Sequence, residues 1–327
     1  MTCLSVFVTR PLPASLAALE SAAVVEVWPG REPPPYTVIR DRARQVDGLL
    51  TLLTDPIDRP LLEAAPHLKV ISQMAVGYDN IDVAAATDRR IPVGHTPGVL
   101  THATADLTWA LLMAAARRVV EGDRFVRQNQ WRTWEPNLLL GPDVAGATLG
   151  IVGLGRIGQA VARRAQGFEM QILYSGRHRV DRAIESSLHA TWVPCDRLLQ
   201  DADFISIHTP LTQETYHLFG AAQFAQMKAS AILINTARGA IVDPIALYQA
   251  LTTGQIAGAA LDVTDPEPIP GDSPLLTLDN LIITPHIGSA SIQTRRKMAE
   301  MAIANLMAGL KGEPLPHCVN PQVYSGG

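Results

Sequence analysis

Short, uninterrupted apolar runs recur along the chain and alternate with stretches in which apolar residues return every three or four positions. The first pattern is typical of strands buried on both faces, and the second is typical of the helices that cover them. Their alternation predicts an α/β fold with parallel sheets. The apolar runs are LSVFV (4–8), VVEVW (24–28), LLTLL (49–53), VISQM (70–74), TLGIVG (148–153), ADFISIH (202–208) and AILIN (231–235).

Two helical stretches mark the places where the chain is predicted to pass between two domains. HTPGVL (95–100) precedes a helix predicted from His102 to about Glu121, and HIGSAS (286–291) precedes a final helix. Apolar residues recur at helical spacing in both stretches. Because a phosphate-binding signature lies in mid-chain, a cofactor domain is predicted to be inserted in a substrate domain, with bounds 99–288 for the former and 1–98 and 289–327 for the latter.

Composition limits the class of protein. Of the 327 residues, 47% are apolar and 18% are charged, as in globular proteins. The net charge of −4 argues against nucleic acid or an anionic membrane as a partner, and no apolar run reaches the ~18 residues of a membrane span. Cys3, Cys195 and Cys318 are odd in number and form no CxxC pair, so we expect a cytoplasmic protein without disulfides or a bound metal.

The segment ATLGIVGLGRIGQAVARRA (147–165) has the features of a dinucleotide-binding loop. Gly153, Gly155 and Gly158 form a GxGxxG pattern between an apolar strand and a helical stretch. Such glycines allow a tight turn, close approach of the backbone to a pyrophosphate and close packing of helix on strand. The alternative is a βα turn merely loosened by three glycines, but the flanking strand and helix favour the dinucleotide.

The segment SGRHR (175–179) lies about where such folds place an acidic residue that accepts hydrogen bonds from the adenosine ribose of NAD. No acid is present there. Ser175, Gly176, Arg177 and Arg179 instead suit a phosphate dianion, which predicts NADPH as the cofactor, with NADH as the alternative. The competing interpretation is an exposed basic turn that meets only solvent.

Three later segments predict a catalytic set at the ends of strands. Arg238 follows the run in ILINTARGAIVD (232–243), Asp262 and Glu267 follow the next strand, and His286 follows LIITP. The carboxyl ends of parallel strands line the crevice in which α/β folds bind ligands. Taken singly, Arg238 could be a surface ion pair and His286 a structural histidine, so the prediction rests on their combination.

The segments GLGRIG, NTARG, LDVTDPEP and TPHIGSA, in this order and spacing, resemble the D-isomer-specific 2-hydroxyacid dehydrogenases over essentially the whole chain. QMAVGYDNID, WRTWEP and LYSGRHR are similar to the glyoxylate/hydroxypyruvate reductase branch. The resemblance implies two Rossmann- and flavodoxin-like domains around a cleft and a homodimer formed through the cofactor domain.

The resemblance also implies roles for single residues. His286 would be the general acid, Glu267 its carboxylate partner, and Arg238 the ligand of the substrate carboxylate and carbonyl oxygen. The role of His102, which stands where many relatives carry an acid, is left open. The implied substrate-binding residues are Leu53, Val76, Gly77 and Trp134, the last reaching the opposite subunit. With the glycine loop and the SGRHR turn included, the cofactor-binding residues are Thr104, Gly153, Gly155, Arg156, Ile157, Gly158, Ser175, Gly176, Arg177, Arg179, Thr209, Pro210, Thr236, Ala237, Asp262 and Gly288.

We therefore expect a reductase that uses NADPH to convert glyoxylate and hydroxypyruvate to glycolate and D-glycerate. A first alternative is a reductase of another 2-keto acid, because the pocket lining is poorly defined by sequence. A second is a nucleotide-dependent corepressor, a class that shares the same fold and the same Arg, Glu and His.

Overall fold

The computed structural model of the protein describes residues 4–325, so that Cys3 lies outside the described part of the chain. Two compact units are present: Met1–Leu100 with Ala290–Gly327, and Thr101–Ser289. Each unit contains one sheet whose strands all pair in parallel and are connected by helices. The predicted α/β class is therefore confirmed. Within residues 4–325, no helix combines the length and apolar character needed to span a membrane.

The first unit has a five-stranded sheet in the order β2-β1-β3-β4-β5. Its strands are β1 (Ser5–Val8), β2 (Val24–Val27), β3 (Gly48–Thr51), β4 (Val70–Gln73) and β5 (Val93–Gly94). Its helices are α1 (Ala17–Glu20), α2 (Tyr36–Ala43), α3 (Arg59–Glu63), α4 (Val83–Asp88) and, from the C-terminal segment, α12 (Ile292–Leu310).

The strand predicted over residues 49–53 is shorter in the structure. β3 ends at Thr51, and Leu52 and Leu53 lie in the loop that follows. The Leu52 N–H donates to the carboxylate of the buried Asp55 at 2.7 Å, so the backbone turns away from the ladder there. Leu53 thus lies on a loop at the carboxyl end of the sheet.

The second unit has a seven-stranded sheet in the order β12-β11-β10-β9-β6-β7-β8. Its strands are β6 (Thr148–Val152), β7 (Gln171–Ser175), β8 (Ala190–Trp192), β9 (Phe204–Ile207), β10 (Ile232–Asn235), β11 (Gly258–Leu261) and β12 (Leu281–Ile283). Its helices are α5 (Thr101–Ala116), α6 (Val119–Arg127), α7 (Arg156–Ala165), α8 (Arg182–Leu188), α9 (Cys195–Asp201), α10 (Ala221–Phe224) and α11 (Pro244–Thr252).

The central strands of this sheet are buried on both faces, as their unbroken apolar sequence predicts. Phe204 of β9 packs into the cluster under α5 and α7, and its neighbour Ile205 packs into the cluster on the opposite face. Successive side chains of a strand point to opposite faces, so each apolar run supplies two cores.

The helix predicted from His102 to about Glu121 is two helices in the structure. α5 ends at Ala116, and Arg118 adopts a left-handed conformation with φ +50° before α6 begins. The Arg118 guanidinium donates to the Glu121 carboxylate at 2.7 and 2.8 Å, which stabilises the break. α6 buries none of its side chains in this unit.

Candidate active site

The glycine loop follows β6 where the strand order of the second sheet reverses, which is the usual ligand position in such sheets. Gly153 has φ +95°, and a Cβ there would lie 2.8 Å from the His208 carbonyl oxygen. A Cβ on Gly158 would lie 2.3 Å from the Gly153 oxygen, whereas one on Gly155 would meet nothing within 4 Å. The loop is closed on its protein side and open beside Gly155, where α7 begins, so it fits a pyrophosphate.

Other predicted cofactor residues lie at the same edge of the sheet. The His208 N–H donates to the Val152 carbonyl at 2.8 Å, which joins the loop after β9 to the end of β6. This contact brings the segment after β9 beside the glycine loop. The predicted residues placed there are Arg156 and Ile157 at the start of α7 and Thr209 and Pro210 after β9.

The SGRHR turn is held from inside by two buried side chains. The Tyr174 hydroxyl donates to Glu185 Oε1 at 2.6 Å and accepts from the Val180 N–H at 3.1 Å. Arg179 donates from Nε and Nη2 to the two Glu185 oxygens at 2.7 and 2.8 Å. Arg179 is therefore engaged by a carboxylate of its own unit, whereas the Arg177 side chain is exposed.

Two groups near this edge have strongly shifted pKa values. The pKa of Glu185 is lowered to about 2, mainly because Arg179 donates to it and secondarily because Tyr174 does. Burial lowers the pKa of His208 to about 3, so its imidazole is neutral, with Nε2 2.8 Å from Ser206 Oγ. The Thr212 hydroxyl and, to a smaller extent, the charge of Arg177 lower the pKa of Glu214.

A second polar group joins α5 to the ends of β10 and β12. The Thr108 hydroxyl donates to the Thr104 carbonyl at 2.8 Å and lies 2.9 Å from the Thr236 hydroxyl. A methyl group on Gly288 would lie 3.1 Å from Asp262 Oδ2 and 3.4 Å from Thr104 Cγ2. The structure thus gathers four predicted cofactor residues, Thr104, Thr236, Asp262 and Gly288, around one point. Ala237 follows in the loop after β10.

Arg238 lies on the loop after β10, which its neighbours fix in place. The buried Asn235 donates from Nδ2 to the Arg238 carbonyl at 2.8 Å and accepts from the Ala237 N–H at 3.0 Å. A Cβ on Gly239 would lie 1.9 Å from the Thr264 carbonyl oxygen. Only a glycine lets this loop pack directly on the segment that leads to Glu267.

The turn that carries His286 is organised by Asp262. His286 has φ +54°, an uncommon conformation for a residue with a side chain, and its N–H donates to the Asp262 carbonyl at 2.8 Å. The buried Asp262 carboxylate accepts from the N–H groups of Ile287 and Gly288 at 2.8 and 2.7 Å and from the Thr284 hydroxyl at 2.6 Å. Four hydrogen bonds to Asp262 therefore fix this left-handed turn.

The predicted partnership of His286 and Glu267 is present as a direct contact. His286 Nδ1 lies 2.6 Å from Glu267 Oε1, and both side chains are partly exposed. A carboxylate can only accept, so Nδ1 holds a proton. The loops of Arg238, Asp262 and His286 follow adjacent strands, which lie about 4.8 Å apart.

The predicted substrate residues of the first unit follow β3 and β4, which are neighbours in its sheet. Leu53 lies after β3, and Val76 and Gly77 lie after β4, all partly exposed. Trp134 is 78% exposed on the segment after α6, within the second unit. Its side chain therefore contributes little to the packing of its own unit.

Residues 109–288 match the family model for the NAD-binding domain of D-isomer specific 2-hydroxyacid dehydrogenases. Over 320 residues, the sequence is 54% identical to a glyoxylate reductase of Korarchaeum cryptofilum, covering 97% of this chain and 96% of that protein. The chain belongs to the D-isomer specific 2-hydroxyacid dehydrogenase family. It is an NAD(P)-dependent oxidoreductase, which confirms the predicted family and enzyme class.

Two solved structures are similar to this chain over nearly its whole length. A protein of Thermus thermophilus is 48% identical and superposes with a TM-score of 0.91, covering 97% of this chain and all of the other. An NADPH-dependent glyoxylate/hydroxypyruvate reductase of Sinorhizobium meliloti, solved with NADP and malonate, is 31% identical with a TM-score of 0.86, covering 98% of each chain. The family model and this NADP complex support the predicted nicotinamide cofactor.

Sequence reasoning missed several residues that shape the site. Glu185 lies six residues beyond Arg179, and Thr108 lies four beyond Thr104, so neither falls in a recognisable motif. A helical spacing of four does place Thr108 on the same face as Thr104, which was an available signal. His102, whose role was left open, is exposed, and its carbonyl accepts from Arg164 Nη2 at 3.4 Å.

Proposed function

We propose that this protein reduces glyoxylate and hydroxypyruvate to glycolate and D-glycerate, with NADPH as the preferred hydride donor and His286 as the general acid. The observation that carries the proposal is the 2.6 Å contact of His286 Nδ1 with Glu267 Oε1. These residues lie on the segments after β12 and β11, and Arg238 lies on the loop after β10, the neighbour of β11. Relatives named glyoxylate reductase support the substrate.

The proposed chemistry divides between cofactor and side chains. When bound, the nicotinamide supplies a hydride to the 2-keto carbon. Arg238 binds the substrate carboxylate and stabilises the charge that develops on the carbonyl oxygen, and His286 gives the Nε2 proton to that oxygen. Glu267 keeps the imidazole in the orientation this transfer needs.

The second unit, Thr101–Ser289, is proposed to bind the cofactor through the glycine loop and the cluster around Thr104. Its preference for NADPH would rest on Ser175, Gly176 and Arg177, because Arg179 is already paired with Glu185. Arg179 then stabilises the turn through its bonds to Glu185, and its positive charge attracts the 2′-phosphate from a distance. This narrows the prediction, which named both arginines as cofactor-binding residues.

The first unit is proposed to bind the substrate through Leu53, Val76 and Gly77. The protein is proposed to be a homodimer in which Trp134 serves the opposite subunit, a role supported by its 78% exposure. The unburied side chains of α6 support the same interface. We place the enzyme in the cytoplasm, consistent with the free thiols of Cys195 and Cys318.

The test is the initial rate of glyoxylate reduction, measured by the absorbance of the reduced nicotinamide, with NADPH and NADH compared at matched concentrations. We expect a higher kcat/KM with NADPH. Turnover mainly with NADH would support the reductase activity and reject the proposed 2′-phosphate pocket. Turnover with neither, while another 2-keto acid is reduced, would reject glyoxylate as the substrate.

The role of His286 predicts a loss in kcat. His286→Ala should lower kcat by about 10²–10⁴-fold, as expected for the removal of a general acid, and leave NADPH affinity unchanged. His67→Ala, at an exposed position of the first unit, is the matched control. Wild-type turnover in His286→Ala would remove this residue from the mechanism.

A further inference from the structure

Three consecutive carbonyl groups after β4 each accept a hydrogen bond from a different donor. Ala75 O accepts from the Thr96 N–H at 2.8 Å, Val76 O lies 2.9 Å from His95 Nδ1, and Gly77 O accepts from Gln73 Nε2 at 2.7 Å. Because a carbonyl oxygen can only accept, His95 Nδ1 holds a proton. We name residues 75–78 the carboxylate loop.

These contacts fix the direction of three N–H groups. In a trans peptide the C=O of one residue and the N–H of the next point in opposite directions. The N–H groups of Val76, Gly77 and Tyr78 therefore point away from Thr96, His95 and Gln73 respectively. Among residues 4–325, none of these three N–H groups has a protein acceptor. Successive N–H groups without a protein acceptor can bind an anion where they line a concavity.

We propose that His95 and Gln73 are positioning residues for a carboxylate site formed by the N–H groups of Val76, Gly77 and Tyr78. The inference rests on the proposed function, in which Val76 and Gly77 bind the substrate carboxylate. It adds Tyr78 N–H as a third donor and two side chains that act through the backbone. The anion is the carboxylate of a small 2-keto acid.

Gln73 is suited to this role because its amide cannot turn freely. The side chain is fully buried, and its Oε1 accepts from Asn80 Nδ2 at 3.0 Å and from Thr51 Oγ1 at 3.3 Å. Its Nε2 donates to Asn80 Oδ1 at 2.7 Å as well as to Gly77 O. Asn80 is itself anchored to the Asp55 carbonyl at 2.7 Å. The Gly77 carbonyl therefore meets a fixed donor.

His95 holds the middle carbonyl from the start of the segment after β5. Its ring packs edge-on against Tyr78, with centroids 5.7 Å apart and planes at 79°. In asparagine, Nδ2 is separated from Cβ by the same two bonds as Nδ1 in histidine. Asparagine at this position can thus donate to Val76 O, whereas leucine fills similar space without a donor.

The first experiment compares His95→Asn with His95→Leu in the full-length enzyme. We expect His95→Leu to raise KM for glyoxylate about 10-fold, as for one misdirected hydrogen bond to a charged group, with kcat and the KM for NADPH unchanged. His95→Asn should restore KM to about the wild-type value. Equal KM increases in both variants, or a loss confined to kcat, would overturn the proposal.

A second readout does not depend on turnover. Oxalate, titrated into the wild-type enzyme and followed by amide NMR, should shift the N–H signals of Val76, Gly77 and Tyr78, and calorimetry should show weaker binding only for His95→Leu. If the enzyme does not reduce glyoxylate but these shifts occur, the proposed substrate fails and the carboxylate site stands. Absence of the three shifts in an enzyme that does reduce glyoxylate would reject the site alone.

Discussion

The glycine loop after β6 and the carboxylate loop after β4 both present N–H groups at the carboxyl end of a parallel strand, yet they are built differently. The conformation of the glycine loop depends on residues without side chains. Gly153 takes φ +95°, and Gly158 leaves room for the Gly153 oxygen. In the carboxylate loop, the carbonyl groups of Val76 and Gly77 accept hydrogen bonds from the side chains of His95 and Gln73. A motif reveals the first kind of site, whereas only tertiary contacts reveal the second.

The largest effect is expected from Gly158→Ala. The added Cβ would lie 2.3 Å from the Gly153 oxygen, so α7 must move, at a cost of about 3 kcal/mol of folding free energy by analogy with overpacked cores. Thermal unfolding should show a clear drop in Tm together with weak NADPH binding. Gly155→Ala is the matched control, since its Cβ meets no protein atom within 4 Å. It should keep the wild-type Tm and still weaken cofactor binding; a normal Tm in both variants would contradict this account of the loop.

A smaller, cofactor-specific effect is expected at the SGRHR turn. Arg177→Ala should raise KM for NADPH about 10-fold, as for one lost hydrogen bond to a charged group, and leave the KM for NADH and the Tm unchanged. Arg179→Ala should instead lower the Tm, because it leaves the buried Glu185 carboxylate without its guanidinium. Equal losses with both cofactors in Arg177→Ala would make the turn structural.

An effect of similar or smaller size is expected in the carboxylate loop. Gln73→Met keeps the volume near Gly77 but removes the donor, so KM for glyoxylate should rise by up to about 10-fold while the KM for NADPH is unchanged. Steady-state kinetics with each substrate varied in turn would separate the two constants. A parallel rise in both would show that the variant disturbs the fold rather than one loop.

The last expected effect appears only in acid. Unfolded His208 takes up a proton below its usual pKa of 6.5, but the folded side chain does so only near 3, so its contribution to stability is present above 6.5 and lost as the pH falls through this window. Glu185, lowered from 4.5 to about 2, adds a loss below 4.5. The Tm of the wild type should therefore decrease with pH from 6.5 downward.

His208→Gln tests which group is responsible. This variant keeps a side chain able to bond Ser206 and should flatten the Tm profile between pH 6.5 and 4.5, with the decrease below 4.5 retained. Amide hydrogen exchange should show β6 and β9 losing protection in acid before β4 does. An unchanged Tm profile would assign the acid sensitivity to other groups.

Much of the fold could be predicted from the sequence because local patterns of residues determine its strands and its glycine loop. Unbroken apolar runs predicted the parallel sheets, and the glycine loop was visible because its backbone demands residues without side chains. The end of β3 and the division between α5 and α6 were missed. They depend on single contacts, from Leu52 to Asp55 and from Arg118 to Glu121, that no periodicity encodes.

The sequence by itself determined the family, the α/β class and the order of strand ends that bear Arg238, Glu267 and His286. The tertiary structure alone decided that Glu185 engages Arg179 and that His95, nineteen residues beyond Val76, donates to the Val76 carbonyl. The physical reason is that a special backbone conformation requires a particular residue type at that position, which is visible in the sequence. A hydrogen bond needs two partners, and only the folded chain brings them together.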